Sequence, residues 1–400
     1  MKKCLLTILT LLVLLAPATA GAQTSAAGAD QKGADVLATL RLVNDYFMAK
    51  WPDPTVPTYV NKVRPSSLWT RAVYYEGLMA LNDIDPQPRY TDYVDRWGTF
   101  HQWTPRDGVA TCDADNQCCS QTYLERYRQV GGEEKLAPTL ENLNRQMQTK
   151  LGWWTWIDAI QMAMPVYAQA TAITGDERYL HHALRMYVWS RDTLAGGLYN
   201  EKDGLWWRDK DFVPPYAEPD GQQCYWSRGN GWVYAALVRV MENLAPASSD
   251  RRGSGAVQVK DFPSLKGGVG GTLRKDFVKM SKALAKCQRE DGLWNVSLVS
   301  TNYAGKELTG SALFLYGMSW GIRHGLLPAK KYRPICDRTW EALQRDCVHT
   351  DGFLGWVQGT GKEPKDGQPL SYTRIPDFED YGTGCFLLGG SEYYKLVMGL

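Results

Sequence analysis

Apolar side chains recur at the 3.6-residue helical period along nearly the whole chain, with turn residues between the runs. The two-residue alternation of strands shows only in short pieces. The periodic segments fall at roughly 34–50, 68–82, 89–103, 117–130, 136–149, 156–174, 177–193, 228–244, 272–288, 310–324, 330–347 and 381–397. That makes about twelve helices, the number six helical hairpins need. The pattern predicts an all-α protein with a single domain over 34–400.

Internal repetition favours hairpins over an irregular bundle. Arg89-Tyr90, Arg178-Tyr179 and Lys331-Tyr332 each open a helix after a turn, and an aromatic residue follows each about two turns later: Trp97, Tyr187 and Trp340. A second repeat, Asp-Gly-Leu-Trp, stands at 203–206 and 291–294 and is echoed by the Asp-Gly-Phe-Leu-Gly-Trp of 351–356. Asp-Gly is turn chemistry, so these are tight loops presenting a Trp near helix ends, gathered at one end of a closed barrel. The stretch 246–271, with Pro, Ser, Gly and an Arg-Arg pair, lacks periodicity and has little apolar content. Because the same loop signature resumes beyond it, it reads as a long surface loop and not a domain boundary.

The N-terminus reads differently. Met1-Lys2-Lys3 is followed by a mostly apolar run, Leu5 to Leu15, and by small-residue cleavage sites at Ala18-Thr19-Ala20 and Ala20-Gly21-Ala22. A membrane span needs about 20 apolar residues, so 1–22 is expected to be a signal peptide, and the mature protein soluble and exported to the periplasm or cell exterior. Cys4 precedes the apolar run, which argues against a lipoprotein site. Residues 23–33, rich in Gly, Ala and Ser, are expected to be a disordered mature N-terminus.

A net charge of +2 with both signs interspersed leaves no basic stripe for nucleic acid. Without Cys4 eight cysteines remain, and in an oxidising compartment Cys112 could bridge to Cys118 or Cys119. The Cys-x5-Cys-Cys spacing matches no zinc pattern and the five histidines are scattered, so neither a metal nor a cofactor is expected. The aromatic balance is more telling: 16 Trp and 22 Tyr against nine Phe. Rings with polar handles stack on sugar C–H faces while staying hydrogen-bonded.

Three constellations could carry chemistry. Asp158 follows Trp153-Trp154-Thr155-Trp156. A carboxylate opening a helix is ordinarily a cap or dipole partner, but an apolar, ring-walled setting disfavours the charged form and makes a useful proton donor. Asp113-Ala114-Asp115-Asn116 starts another predicted helix. Trp226-Ser-Arg228-Gly-Asn230-Gly-Trp232 places a forked donor suited to a carboxylate between two rings, and Trp206-Trp207-Arg208-Asp209 offers a second arginine beside stacking rings.

At these residues the chain resembles the unsaturated rhamnogalacturonyl hydrolases of glycoside hydrolase family 105, relatives of the unsaturated glucuronyl hydrolases of family 88. The resemblance runs through Leu68-Trp69-x-Arg71-x3-Tyr75-Glu76-Gly77-Leu78, Ala114-Asp115-Asn116, Trp156-Ile157-Asp158-Ala159 and Gly204-Leu205-Trp206-Trp207-Arg208-Asp209. It continues through Trp226-Ser227-Arg228-Gly229-Asn230-Gly231-Trp232, Glu307 with Thr309-Gly310-Ser311, and Tyr381-Gly382-Thr383-Gly384. It implies an (α/α)6 barrel of six helical hairpins, no metal, and a mechanism in which an aspartic acid protonates C4 of a 4,5-unsaturated uronyl ring and then helps water add at C5. Asp158 matches that acid. The resemblance puts Asp115, Trp156, Trp207, Arg208, Trp226, Arg228, Trp232 and Glu307 in the substrate site, with Arg228 and Trp232 lining the uronyl subsite. Where the family has two adjacent aspartates this chain has Asp115-Asn116, and Arg208 falls near a position where some members have histidine. The implied substrate is a lyase-generated rhamnogalacturonan (pectin) oligosaccharide. The alternatives are ulvan or glycosaminoglycan fragments, or a catalytically degenerate sugar-binding barrel.

Overall fold

In the computed structural model, the described residues are 20–59, 62–244, 268–373 and 379–400. Among them, twelve α-helices of eight residues or more form, in two sets that differ in what they bury. One set is wrapped by protein on every side: α2 (Trp69–Ile84), α5 (Cys119–Val130), α7 (Asp158–Thr174), α9 (Ser227–Leu244), α11 (Leu308–Arg323) and α13 (Glu379–Met398). Every residue of α7 from Asp158 to Ala172 is buried, as is every residue of α11 from Leu308 to Gly321. The other set is α1 (Ala20–Lys50), α3 (Pro88–Phe100), α6 (Glu133–Met147), α8 (Glu177–Val188), α10 (Gly268–Cys287) and α12 (Ala329–Cys347). Helices of this set bury one stripe, as α3 does with Tyr90, Tyr93, Val94 and Trp97 at helical spacing.

The two sets alternate along the chain, and the buried helices pack in a closed ring: α2 on α5, α5 on α7, α7 on α9, α9 on α11, α11 on α13, and α13 back on α2. This is the expected (α/α)6 barrel, with the amphipathic helices outside. The ring is closely packed where α2 meets α13. A Cβ on Gly77 would overlap the Gly384 carbonyl, and one on Gly384 would overlap the Val73 carbonyl.

Several boundaries differ from the predicted ones for local reasons. Helix α3 stops at Phe100, short of 103, because Gln102 and Trp103 take positive φ. The predicted helix 117–130 is preceded by a separate turn, α4 (Ala114–Gln117), capped by the Asp113 side chain. The segment 23–33, expected to be disordered, lies within α1, whose Ala-rich composition favours helix. From there Lys32 donates to Asp337 on α12, at 3.1 Å. Of the expected signal peptide, residues 1–19 lie outside the described residues, as does 245–267 of the expected surface loop; 268–271 begin α10. Among the described residues no helix is long and apolar enough to cross a membrane.

Substituting Gly77→Val should lower stability by about 1–3 kcal/mol through overpacking at the α2–α13 contact. The check is a thermal melt, where a midpoint equal to or above that of the unsubstituted protein would contradict this packing.

Candidate active site

The loops leading into the ring helices are joined by backbone hydrogen bonds that run round one rim of the barrel. Ile157 N–H donates to the Arg208 carbonyl at 2.9 Å and Ser227 N–H to Val296 at 2.8 Å, while Leu308 N–H reaches Trp356 at 2.9 Å. Isolated bridges pair Trp156 with Asp209, Trp226 with Ser297 and Trp294 with Glu307. The Asp-Gly repeats lie on this rim, each turning through a glycine at positive φ: Gly204, Gly292 and Gly352. Their tryptophans serve a different purpose from the expected one. Trp206 and Trp294 are fully buried plugs, Trp294 donating to the Leu284 carbonyl at 2.9 Å, and only Trp356 of the three keeps an open face.

Asp158 is the first residue of α7 and is 9% exposed. Its neighbour is Arg208, brought in by the bonded segment 208–209: Nε donates to Asp158 Oδ2 at 3.3 Å, and Nη1 to Asp209 Oδ2 at 2.7 Å. Burial pushes the Asp158 carboxyl up from its ordinary range, while Arg208 and Arg228 pull it back down. Facing it electrostatically is Asp115 on α4, which is partly exposed. Burial first, and then the charges of Asp113 and Asp158, push Asp115 up to about 7, against Arg208 and Arg106. The structure therefore brings Asp115, Asp158 and Arg208 together as one charged cluster.

Asn116 has a different task. Its amide donates to Asp107 Oδ2 at 2.9 Å and to Thr111 Oγ1 at 3.1 Å, and its carbonyl oxygen accepts from Arg106 at 2.8 Å. It pins the 106–111 loop, a role that requires a donor and that a carboxylate could not fill. Of the Asp115-Asn116 pair, the acidic member is the one in the cluster.

The Trp226–Trp232 segment is more structural than expected. Arg228 is 1% exposed, and its fork is held by two backbone carbonyls, Gln358 at 2.7 Å and Gly359 at 2.8 Å, with its plane near the rings of Trp226 and Tyr381. Trp226 donates to Gln358 Oε1 at 2.8 Å, and Trp232 is fully buried. Glu307, expected to bind substrate, is fully buried and caps α11: it accepts from Thr309 N–H at 3.0 Å, Gly310 N–H at 2.6 Å and the Thr309 hydroxyl. Both its oxygens engage the cap, and full burial keeps it out of a sugar's reach. Trp156 and Trp207 remain partly exposed, with Trp207 donating to Gln223 at 2.9 Å and tilted against Tyr225.

Three residues not singled out from the sequence also shape the site. Asp209 anchors Arg208. Gln358 ties Trp226 and Arg228 to a loop 130 residues away. Trp69, partly exposed at the start of α2, packs at 5.3 Å from Tyr381. Trp69 and Asp209 stood inside motifs of the resemblance, whereas nothing local marked Gln358. The eight cysteines of the described residues are free thiols, so the bridge considered from Cys112 is not formed; Cys118 instead donates to Glu76 and Cys119 to the Asn116 carbonyl.

The model of Glycosyl Hydrolase Family 88 matches residues 39–397. The chain is 27% identical over 349 residues to the unsaturated 3S-rhamnoglycuronyl hydrolase of Formosa agariphila, covering 82% of this chain and 84% of that protein. Among solved structures it resembles a glycosyl hydrolase family 88 protein from Bacteroides vulgatus, with a TM-score of 0.76 at 28% identity over 91% of this chain and 99% of that one. A possible member of the GH105 family from Salmonella enterica shares the fold, with a TM-score of 0.66 at 17% identity, over 91% of this chain and 94% of that one.

Placing a carboxylate at Asn116 would set it against Asp107. Asn116→Asp should therefore melt lower than the unsubstituted protein at neutral pH. Like-charge contact raises the folded-state pKa of the new acid, so the deficit should shrink as pH falls through that raised value and be gone below the unfolded value of about 4. A deficit that is the same at both pH values would contradict the assigned contacts.

Proposed function

The chain belongs to glycosyl hydrolase family 88, and on that premise we propose that this glycoside hydrolase removes a 4,5-unsaturated uronic acid from the non-reducing end of a lyase-generated oligosaccharide. The observation carrying the proposal is the buried Asp158 beside Asp115 and Arg208: two carboxyls that burial pushes above their ordinary range, Asp115 to about 7. Asp158 protonates C4 of the unsaturated ring. Water then forms its bond to C5, passing a proton to the Asp158 carboxylate, and the resulting hemiketal collapses and releases the aglycone. One carboxyl serves both steps, so no pair spaced for direct displacement is required. Asp115 faces Asp158 and keeps the local field negative, which favours the protonated form. Trp156 and Trp207 offer ring faces to the sugar. Arg208 is a partly open cation suited to an anionic group, whereas Arg228 is buried with both its terminal nitrogens held by backbone carbonyls.

The aglycone is proposed to be rhamnose. The sequence expectation was a pectin-type rhamnogalacturonan fragment. The Formosa agariphila relative is an unsaturated 3S-rhamnoglycuronyl hydrolase, which favours a rhamnose-containing fragment here as well. Export through the signal peptide 1–22 places the enzyme where polysaccharide lyases release such fragments. Asn116, where the family has an aspartate, has a structural task of its own and so lends no support to a catalytically degenerate barrel.

Turnover is read as loss of the ultraviolet absorbance of the conjugated double bond, on rhamnogalacturonan and sulfated rhamnose-containing lyase digests in parallel. Asp158→Asn should cut kcat by at least about a hundredfold while substrate still binds; full activity in that variant removes the assignment. Because the reaction uses a carboxyl proton, and burial holds the Asp158 carboxyl above its ordinary range, kcat/KM should fall as pH rises through the point where that proton is lost. A rate that climbs through that range would contradict a protonated donor.

A further inference from the structure

Arg208 stands in an awkward place for the chemistry just described. A guanidinium against a carboxylate favours its ionised form, and so works against burial for the proton that Asp158 has to give. The two bonds Arg208 makes are unequal. The one to Asp209, at 2.7 Å, has the length of a strong charge-assisted hydrogen bond, whereas the one to Asp158, at 3.3 Å, is long for that class. Asp209 is itself fixed: it is 7% exposed, its Oδ1 accepts from Asp211 N–H at 2.8 Å, and its backbone is bridged to Trp156. Arg208 is thus anchored on one carboxylate and leans loosely on the other. Among the described residues its Nη2 makes no hydrogen bond, and the side chain keeps 19% of its surface open.

We propose that Arg208 is a substrate-operated switch on Asp158, with Asp209 as its positioning residue: the carboxylate of the unsaturated uronic acid draws the guanidinium away, and Asp158 then takes up the proton it delivers to C4. This rests on the hydrolase reading above. The balance is simple. Asp158 gains one proton from solvent, and the negative charge it loses beside Arg208 is replaced by that of the substrate. The other charges facing Asp158 oppose this exchange little. Arg228, from α9, is immobilised by the carbonyls of Gln358 and Gly359. Asp115, from α4, carries Asp113 and Arg106 behind it. Its charge and that of an arriving carboxylate both favour a protonated Asp158. A neutral sugar in the same cleft would leave Arg208 where it is, so the switch makes the substrate's carboxylate a requirement for turnover as well as for binding.

The test compares an unsaturated disaccharide with its uronate methyl ester, on the full chain and on the variants Arg208→Gln and Asp209→Asn. In the unsubstituted protein the ester should be slower in kcat by about tenfold or more at neutral pH, corresponding to a pKa difference of one unit or more at Asp158, and should recover as pH falls. In Arg208→Gln no cation has to leave, so the gap in kcat between acid and ester should close. In Asp209→Asn the weaker anchor lets Arg208 settle on Asp158, and the alkaline limb of kcat/KM on the free acid should move to lower pH. The switch is overturned if acid and ester differ only in KM, or if the kcat gap survives in Arg208→Gln. A changed melting temperature with an unmoved pH profile in Asp209→Asn overturns the positioning role. Absence of turnover on either substrate in the unsubstituted protein overturns the hydrolase reading itself, and the switch with it.

Discussion

Everything in the rim of this barrel bears on the contest between burial and cations at one carboxyl. Asp158 opens a helix, where the N-terminal peptide dipoles favour an anion, and it has Arg208 within 3.3 Å. Burial works the other way and dominates. Asp115 adds a second negative charge on the same side of that balance. A carboxyl so placed is raised above the range of an exposed aspartate without being walled off from a ligand, since Asp115 and Arg208 remain partly open. Moving any of these groups by the width of a side chain would return an ordinary helix-capping aspartate.

Holding them in place is the work of the backbone stitching between hairpin loops. Each bond joins the entry of one ring helix to the loop of the next, so the carboxyl on α7 and the guanidinium from the loop before α9 are set by the Ile157–Arg208 bond and the Trp156–Asp209 bridge. The buried tryptophans of the Asp-Gly repeats plug the space beneath the rim. Lower in the barrel, Glu76 on α2 accepts from Cys118 at 3.4 Å and from Gln161 at 2.9 Å, residues three positions beyond Asp115 and Asp158 respectively. It thereby ties the elements carrying the two acids together.

The helical plan was legible because each outer helix advertises its stripe at a 3.6-residue period and each inner helix is apolar nearly throughout. Asp158 stood out for a similar reason, a carboxylate in a run of tryptophans. What stayed hidden depended on partners remote in sequence. Arg228 looked like a ligand for a carboxylate, yet it is buried and its two terminal nitrogens are held by carbonyls about 130 residues on. Glu307 looked like a site residue, yet it caps its own helix, a position where Asp, Asn, Ser or Thr is the usual signal. Asn116 looked like a lost acid, and only the fold of the 106–111 loop shows why an amide is wanted there. Asp209 could not be weighed without knowing where Arg208 points.

The most direct measurement is a site-resolved carbon NMR titration of the aspartate carboxyls, with Asp115 and Asp158 identified by substitution. The expected result is one proton retained by the pair until pH approaches about 7, well above the value of about 4 for free aspartate. If both carboxyls instead ionise at or below about pH 4, the rim supplies no proton donor, and the proposed chemistry is contradicted.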